Sequence, residues 1–452
     1  MIAGLQPYPA MKDSGVPWLG KVPEHWDVRR LKYLLRERDV RSDDGAEQLL
    51  RVSQYTGVTE RKRADGLDEP DTRAESLVGY KSTEPNDLVV NIMLAWNGSM
   101  GVSRFHGIVS PAYCVYRFQV GVHARYFDHL LRSPTYKARI KAVSTGVVES
   151  RLRLYTDNLY RLEALLPPLP EQAAIVKYLD HVDRRIRKYI RAKQKLIKLL
   201  EEQKQAIIHQ AVTRGLDPNV RLKSSGVDWL GDIPEHWEVR KLKYKVKFCG
   251  GGTPSKAVIE YWSGEIPWVS PKDMKTDFIQ DTQDHITSEA VELSSTCLVD
   301  PGAVLIVVRS GILRRTIPVA INRCSVALNQ DMKALIPKSD LLASYLAALI
   351  RGNNHALLTE WTKQGATVES IEYELFANSR LPIPPVSEQA AIVENLRLEL
   401  SAINQAIDRA QRQISLLREY RTRLIADVVT GKLDVREAAT RLCPMKRKNP
   451  CR

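Results

Sequence analysis

The chain has 452 residues, with 67 Lys plus Arg against 53 Asp plus Glu, a formal net charge of +14. At roughly 100 to 200 residues per domain this length allows two or three domains, and a composition of 44% hydrophobic and 27% charged residues excludes a disordered or fibrous chain. The most apolar stretches, such as 303–308 and 341–350, reach only about half of the ~20 residues that a membrane span needs, so no membrane partner is expected.

Residues 1–13 read as an N-terminal tail without the basic and then apolar regions of a secretory signal, and a cytoplasmic location is expected. Six cysteines are spread along the chain (Cys114, Cys249, Cys297, Cys324, Cys443 and Cys451) with no C-x-x-C pair. Reduced thiols are therefore expected, and neither a disulfide framework nor a zinc ribbon. The basic excess, with a sequence pI near 9.4, points to a polyanionic partner, nucleic acid first.

The next segment, Ser14 to Tyr33 (SGVPWLGKVPEHWDVRRLKY), recurs as Ser225 to Tyr244 (SGVDWLGDIPEHWEVRKLKY), with 15 of 20 positions identical at an offset of 211. A second pair, PPLPEQAAIV from Pro167 and PPVSEQAAIV from Pro384, lies at an offset of 217. A tandem duplication explains both. Each half holds a repeated lead segment, a variable body of about 130 to 140 residues, the Pro-Pro-x-x-Glu-Gln signature and a helical pattern of about 43 residues. The bodies themselves do not align. The spacing divides the chain into body one with its lead segment (14–166), a first spacer helix (167–215), body two with its lead segment (216–383), a second spacer helix (384–431) and a basic C-terminal tail (432–452).

At alternating steps of three and four, an apolar stripe runs from Val176 to Ala211 and another from Val393 to Val428. Such heptads predict a coiled coil, and the polar interruptions Asp183, Lys193, Lys204 and Arg421 can set its register. The prolines upstream block helix entry, and Gly215 and Gly431 close the helices. Two long helices separated by a whole globular body pair most economically in antiparallel fashion, with the halves related by a pseudo-two-fold axis. The predicted fold is thus α+β: two globular α/β domains joined by two long helices that form an antiparallel coiled coil. Nine basic residues between Lys177 and Lys198, opposed only by Asp180 and Asp183, make the first helix either a solvated face or a basic rod suited to a phosphate backbone.

Catalytic signatures are lacking. Gly250-Gly251-Gly252-Thr253-Pro254-Ser255-Lys256 has neither Walker nor Rossmann spacing. The Pro-Pro pairs continue as Leu169 and Val386, not as the Pro-Pro-Tyr/Phe of a DNA amino-methyltransferase. The nine histidines show no ligand spacing, and His25 and His236 read as structural members of the frame. Asp273 with its lysine neighbours is a weak match to a nuclease cluster. The chain reads as a binder, expected to be non-catalytic by itself and to hold no metal or cofactor; a coiled-coil scaffold for proteins is the alternative class.

Two repeats of Trp-Leu-Gly-x-hydrophobic-Pro-Glu-His-Trp, each followed by a variable body, Pro-Pro-x-x-Glu-Gln and a long helix, resemble the DNA specificity (S) subunit of type I restriction-modification systems over residues 14–434. In the second body Gly251-Gly252-Thr253-Pro254-Ser255-Lys256, the run from Tyr261 to Ser270 and Asp273 resemble a motif at the start of that family's target-recognition domains. The first body departs from it, with Arg51 to Val58 (RVSQYTGV) in its place. The resemblance implies an adaptor whose two target-recognition domains each read half of a bipartite double-stranded DNA site, while the coiled coil sets the gap. It implies as partners two methyltransferase subunits using S-adenosylmethionine and, in the full complex, two ATP- and Mg-dependent restriction/translocase subunits.

Base edges are read by Arg, Lys, Asn, Gln, Ser and Thr, and phosphates are held by Lys and Arg. On that chemistry the candidates in the first body are Gln54, Tyr55, Lys62, Arg63, Asn97, Ser99, Arg104, Arg151 and Arg153. In the second they are Thr253, Ser255, Lys256, Lys272, Arg309, Ser310, Arg314, Arg315 and Gln364. Trp96, Trp268 and Trp361 are expected in the core. The repeated Trp18, Trp26, Trp229 and Trp237 are expected to anchor the lead segments to the scaffold, with subunit contact as the alternative.

Overall fold

The computed structural model describes residues 5–61, 74, 76–362 and 369–442. Lys62, Arg63, Gln364, Cys443 and Cys451 lie outside the described residues. The fold is α+β, and the chain divides into two compact units, one of Met1–Lys193 with Arg412–Arg452 and one of Gln194–Gln411. No helix among the described residues is long and apolar enough to cross a membrane.

Two helices dominate, Leu169–Arg214 with 46 residues and Val386–Val429 with 44. Both start one residue after the second proline of the signature, so its Glu and Gln fall in the first turn. In the first unit the beginning of the first helix (Ile175, Leu179, Val182, Ile186) shares a core with the end of the second (Leu424, Val428, Val429). In the second unit the end of the first helix (Ile208, Ala211, Val212) shares a core with the beginning of the second (Ile392, Leu396). The pairing is antiparallel in each. Two of the polar interruptions are partners: Asp183 accepts from Arg421, a half-buried charge pair. Lys204 Nζ donates instead to Asn404 Oδ1 at 2.9 Å.

The two repeated motifs turn out to be each other's partners. In the first unit Glu171, buried in the first helical turn, accepts from Trp26 Nε1 (3.0 Å) and the Tyr8 hydroxyl (2.5 Å), and its second oxygen lies 2.7 Å from His25 Nε2. Burial, then the bond to Glu171, holds the Tyr8 hydroxyl protonated far above the ordinary tyrosine range. The neighbouring Gln172 donates to the Pro167 carbonyl (2.8 Å) and accepts from His123 N (2.9 Å). The second unit repeats the plan. His236 Nε2 lies 2.8 Å from Glu388 Oε2, and Gln389 donates to Pro384 O (2.8 Å) while accepting from Leu342 N (2.8 Å). The second copy is weaker, because Trp237 Nε1 is buried without a partner and Asn219, at the position of Tyr8, is exposed.

Around this frame the strands follow the duplication. The hairpin Met11–Asp13/Lys21–Pro23 recurs as Leu222–Ser224/Asp232–Pro234, and the pair Asp27–Arg30/Glu163–Leu166 as Glu238–Lys241/Arg380–Ile383. Each frame is closed by the end of the other repeat's helix. Gly431, at φ +75°, lies so close to Pro23 and Trp26 that a Cβ would overlap the proline ring.

The bodies differ in their sheets. The first has an antiparallel four-stranded sheet, in order Leu35–Arg38, Tyr113–Phe118, Leu88–Asn91, Met100–Val102. The second has a five-stranded sheet (Val246–Gly250, Met332–Pro337, Val304–Val307, Val319–Asn322, Phe278–Ile279) and a four-stranded one built on Ile266–Val269. Yet both bodies offer the frame an equivalent helix, Ala124–Leu131 and Ala343–Gly352. The buried hydroxyl of Tyr126 stands 3.3 Å from the carbonyls of Leu165 and Val429, and that of Tyr345 stands 3.2 Å from those of Pro382 and Val212. These carbonyl pairs are 217 residues apart.

The expectation of reduced thiols is corrected at one pair. Cys249 and Cys297 are joined as a disulfide with Cα atoms 6.7 Å apart, a separation within bridging reach. Cys114 and Cys324 are free. The fold brings together residues 48 apart with no local spacing signal.

Removing one partner of a buried charged network leaves the others unsatisfied. Glu171→Ala should therefore lower stability by about 3 kcal/mol, and Glu388→Ala, which loses an exposed histidine contact, by about 1 kcal/mol. Urea unfolding of the full chain checks this; equal losses would mean that the Tyr8 and Trp26 bonds add nothing.

Candidate nucleic-acid interface

In the first body, strands Leu50–Ser53 and Gly57–Glu60 form a hairpin whose tip carries Gln54 and Tyr55. Tyr55 is 82% exposed, and the tip is tied down by Arg132, whose Nη2 donates to the Gln54 carbonyl (3.2 Å) and the Tyr55 carbonyl (3.1 Å). Elsewhere in the same body the 3-10 turn Ala95–Asn97 packs on helix Pro134–Val143. The Asn97 side-chain oxygen accepts from Ser99 N (3.2 Å) and Ser99 Oγ (3.0 Å), so its bonds within the turn are made by the oxygen. Ser99 itself is buried, so it acts through the turn that presents Asn97. Trp96 donates to Met93 O and lies under the Lys141 ammonium, 5.5 Å away. Arg151 is exposed in the 3-10 turn Glu149–Arg151, and Arg153 Nη1 donates to the Leu152 carbonyl. Arg104 is exposed, and its charge acts on Asp180 of the first long helix.

In the second body the Gly-Gly-Thr-Pro segment is held against the turn at 328–331. Gly252 N donates to Leu328 O (2.8 Å), Thr253 Oγ1 donates to Gln330, and Trp268 Nε1 donates to Gly252 O (3.1 Å). Trp262 packs edge-on against Trp268 at 5.0 Å and donates to Ser255 O (3.3 Å). The Tyr-Trp run of the motif is thus the clamp that shapes the glycine loop and leaves Ser255 and Lys256 exposed. The same turn continues to Asp331, which accepts from Arg309 Nε at 2.6 Å. Ser310 caps the 3-10 turn Gly311–Arg314, Arg314 Nε pairs with Glu369 at 3.3 Å, and Arg315 is exposed. Lys272 Nζ pairs with Asp284 at 2.7 Å, next to Asp273, which accepts from Ser270 N and Oγ. Thr253, Arg309 and Ser310 therefore meet along one row of loops, through Asn329, Gln330 and Asp331, which carry no motif of their own.

Trp268 and Trp361 are buried as expected, as are Trp26 and Trp237. Trp18 and Trp229 are half-buried, and Trp18 Nε1 donates to Glu163 at 3.3 Å. In the second half Trp229 is a neighbour of Glu360, whose carboxyl is pushed up by burial, and Trp229 Nε1, Ser379 Oγ and Glu360 Oε2 are buried without a hydrogen-bond partner. Among the described residues no group of three or more His, Cys, Asp or Glu could hold a metal ion.

Two bodies with different polar loops, each locked to a copy of one frame, define a duplicated α+β protein with two unlike loop surfaces. Residues 234–409 match the type I restriction modification DNA specificity domain. The type I restriction enzyme EcoR124I/EcoR124II specificity subunit of Escherichia coli is 37% identical over 203 residues, 44% of this chain and 47% of that protein. The chain spans about half the length of the first curated relatives it matches, 47% and 42%. The type I restriction enzyme MjaVIII specificity subunit of Methanocaldococcus jannaschii is 24% identical over 447 residues, 92% of this chain and 95% of that protein. A chain solved in work on complex assembly and conformational transition of the type I R-M system has the same fold, with a TM-score of 0.68 at 18% identity over 91% of this chain and 99% of that chain. The chain is thus similar, in its second half by sequence and along its length by fold, to specificity subunits of type I restriction-modification systems.

The ion pairs at Arg309 and Arg314 are exposed, and pairs of that kind contribute little. Arg309→Ala and Arg314→Ala should each shift unfolding free energy by less than about 0.5 kcal/mol. Urea titration is the check, and a loss above about 2 kcal/mol would show that the pairs hold the loops in place.

Proposed function

We propose that this chain is the sequence-reading component of a type I restriction-modification complex and carries no catalysis of its own. Each body reads one half of a bipartite, asymmetric double-stranded DNA site, and the paired helices set the gap between the halves. The observation that carries this reading is the pairing of one duplicated frame with two unlike loop surfaces. A scaffold for a single ligand would have no use for bodies so different on locks so similar.

Within this reading the Gln54–Tyr55 tip, Asn97, Arg151 and Arg153 serve one half-site. The row Thr253, Ser255, Lys256, Lys272, Arg309, Ser310, Arg314 and Arg315 serves the other. Lys62, Arg63, Gln364 and Arg104 stay as candidates on residue chemistry. Trp18 and Trp229, half-buried beside the frame, face the partner subunits: two methyltransferase subunits, which bring S-adenosylmethionine, and two restriction/translocase subunits, which bring ATP and Mg.

The test is selection from random duplex DNA by the chain copurified with its methyltransferase partner, at fixed salt because phosphate contacts make affinity salt-dependent. Two unrelated short words at one constant gap are expected. Retained DNA with no enriched word would overturn the reading.

A ruler makes a second prediction. Four residues inserted in both helices, at positions that keep them paired, lengthen each by about 6 Å, close to two base-pair rises of ~3.4 Å. The gap should change and both words should stay the same. Changed words at a constant gap would contradict the ruler.

A further inference from the structure

Lys137 belongs to no motif in the sequence, and among the described residues of the first body it is a cation held partly out of solvent. It sits on helix Pro134–Val143, half-buried, with its aliphatic stem laid over the α-carbon of Gly98. Gly98 takes φ +94°, and a Cβ there would overlap Lys137 Cε and come within 2.9 Å of its Nζ. Among the described residues the ammonium has neither an ion-pair nor a hydrogen-bond partner. Burial, and then the charge of Arg132, hold it below the usual lysine range. Arg132 is itself incompletely satisfied: its Nε is buried without a partner, and its one acid, Asp128, is 3.7 Å away.

A half-buried ammonium that feels the charge of a nearby guanidinium and has no acid partner of its own costs free energy that an arriving anion would recover. The two cations also have fixed places. Arg132 holds the hairpin tip through the Gln54 and Tyr55 carbonyls, and Lys137 lies against the glycine that follows Asn97. This contrasts with the second body, where Lys272, Arg309 and Arg314 each have an acid partner.

We propose that Lys137, positioned by Gly98 and backed by Arg132, is a phosphate-binding residue of the first body that grips one DNA backbone phosphate between the Gln54–Tyr55 tip and the Asn97 turn. The inference rests on the DNA-reading function proposed above. Lys137 sets register and affinity there, while base edges are left to Gln54, Tyr55 and Asn97.

The test uses the chain with its methyltransferase partner, and measures affinity for the selected duplex and for an unrelated duplex across a salt series. Losing one phosphate contact lowers the slope of log K against log salt by about 0.9, a loss of about fivefold at ~0.15 M salt. Lys137→Ala should show that loss equally on both duplexes, with the selected words unchanged, and Lys137→Arg should restore the slope. Because Lys137 makes no hydrogen bond or ion pair within the body and only its stem packs on Gly98, its alanine variant should unfold cooperatively and close to the wild-type midpoint. An unchanged slope in Lys137→Ala, while the wild-type complex still selects its two words, overturns the clamp alone. A changed word in one half would make Lys137 a base reader and also overturn it. A wild-type complex that selects no word removes the DNA-reading function and the clamp with it.

Discussion

A carboxylate in the first turn of a long helix is favoured by the helix dipole and by the free amides there. In this chain that position is also where the frame closes. Glu171 draws His25, Trp26 and Tyr8 onto the helix start, and Gln172 beside it fixes the Pro167 carbonyl and the backbone of His123, which leads into helix Ala124–Leu131. Charge-assisted bonds of this kind are directional and strong. The angle at which the lead segment, the body and the helix meet is therefore fixed by a few atoms, and the body's loops are free to vary without disturbing it. The second repeat keeps the geometry with fewer bonds, relying on apolar packing around Trp237 where Tyr8 has no counterpart.

Much of this was legible in the sequence. The duplication stood out because its two segments are short, dense in Trp and Pro, and equally spaced. The long helices followed from the heptad stripe, and Asp183 and Arg421 stood out as charges in it. What the sequence did not reveal is that Glu-His-Trp and Glu-Gln are partners, because some 145 residues separate Trp26 from Glu171 and no local rule links them. Tyr126 and Tyr345 escaped for a related reason. They lie in bodies that do not align, yet they make the same contacts to carbonyls of both helical repeats. The duplication thus extends further in space than in sequence, since only a hydroxyl in the right place was needed.

The candidate surfaces show where residue type is a good guide and where it is not. Gln54, Tyr55 and Asn97 are presented by turns, as loop chemistry suggests. Ser99 was chosen on the same chemistry but spends its hydroxyl inside the turn. Gln330 and Asp331 carry no signature and become visible only when the glycine loop is seen resting on them. The Cys249–Cys297 pair likewise depends on tertiary approach beside that loop.

The paired helices also carry a mark that their sequence likeness hides. With an offset of 217 residues, Asp183 corresponds to Leu400 and Arg421 to Lys204. The charge pair of one unit therefore has an aliphatic and a lysine in the same places of the other, where Lys204 turns to Asn404. Two copies of the second helix, paired in the same register, would set Arg421 against Leu400 at both ends and leave two guanidinium groups facing apolar neighbours. Two copies of the first would set Asp183 against Lys204 and satisfy both. Self-pairing of the second helix would thus set both Arg421 charges against aliphatic neighbours, whereas the first helix carries matching charges at the two corresponding places.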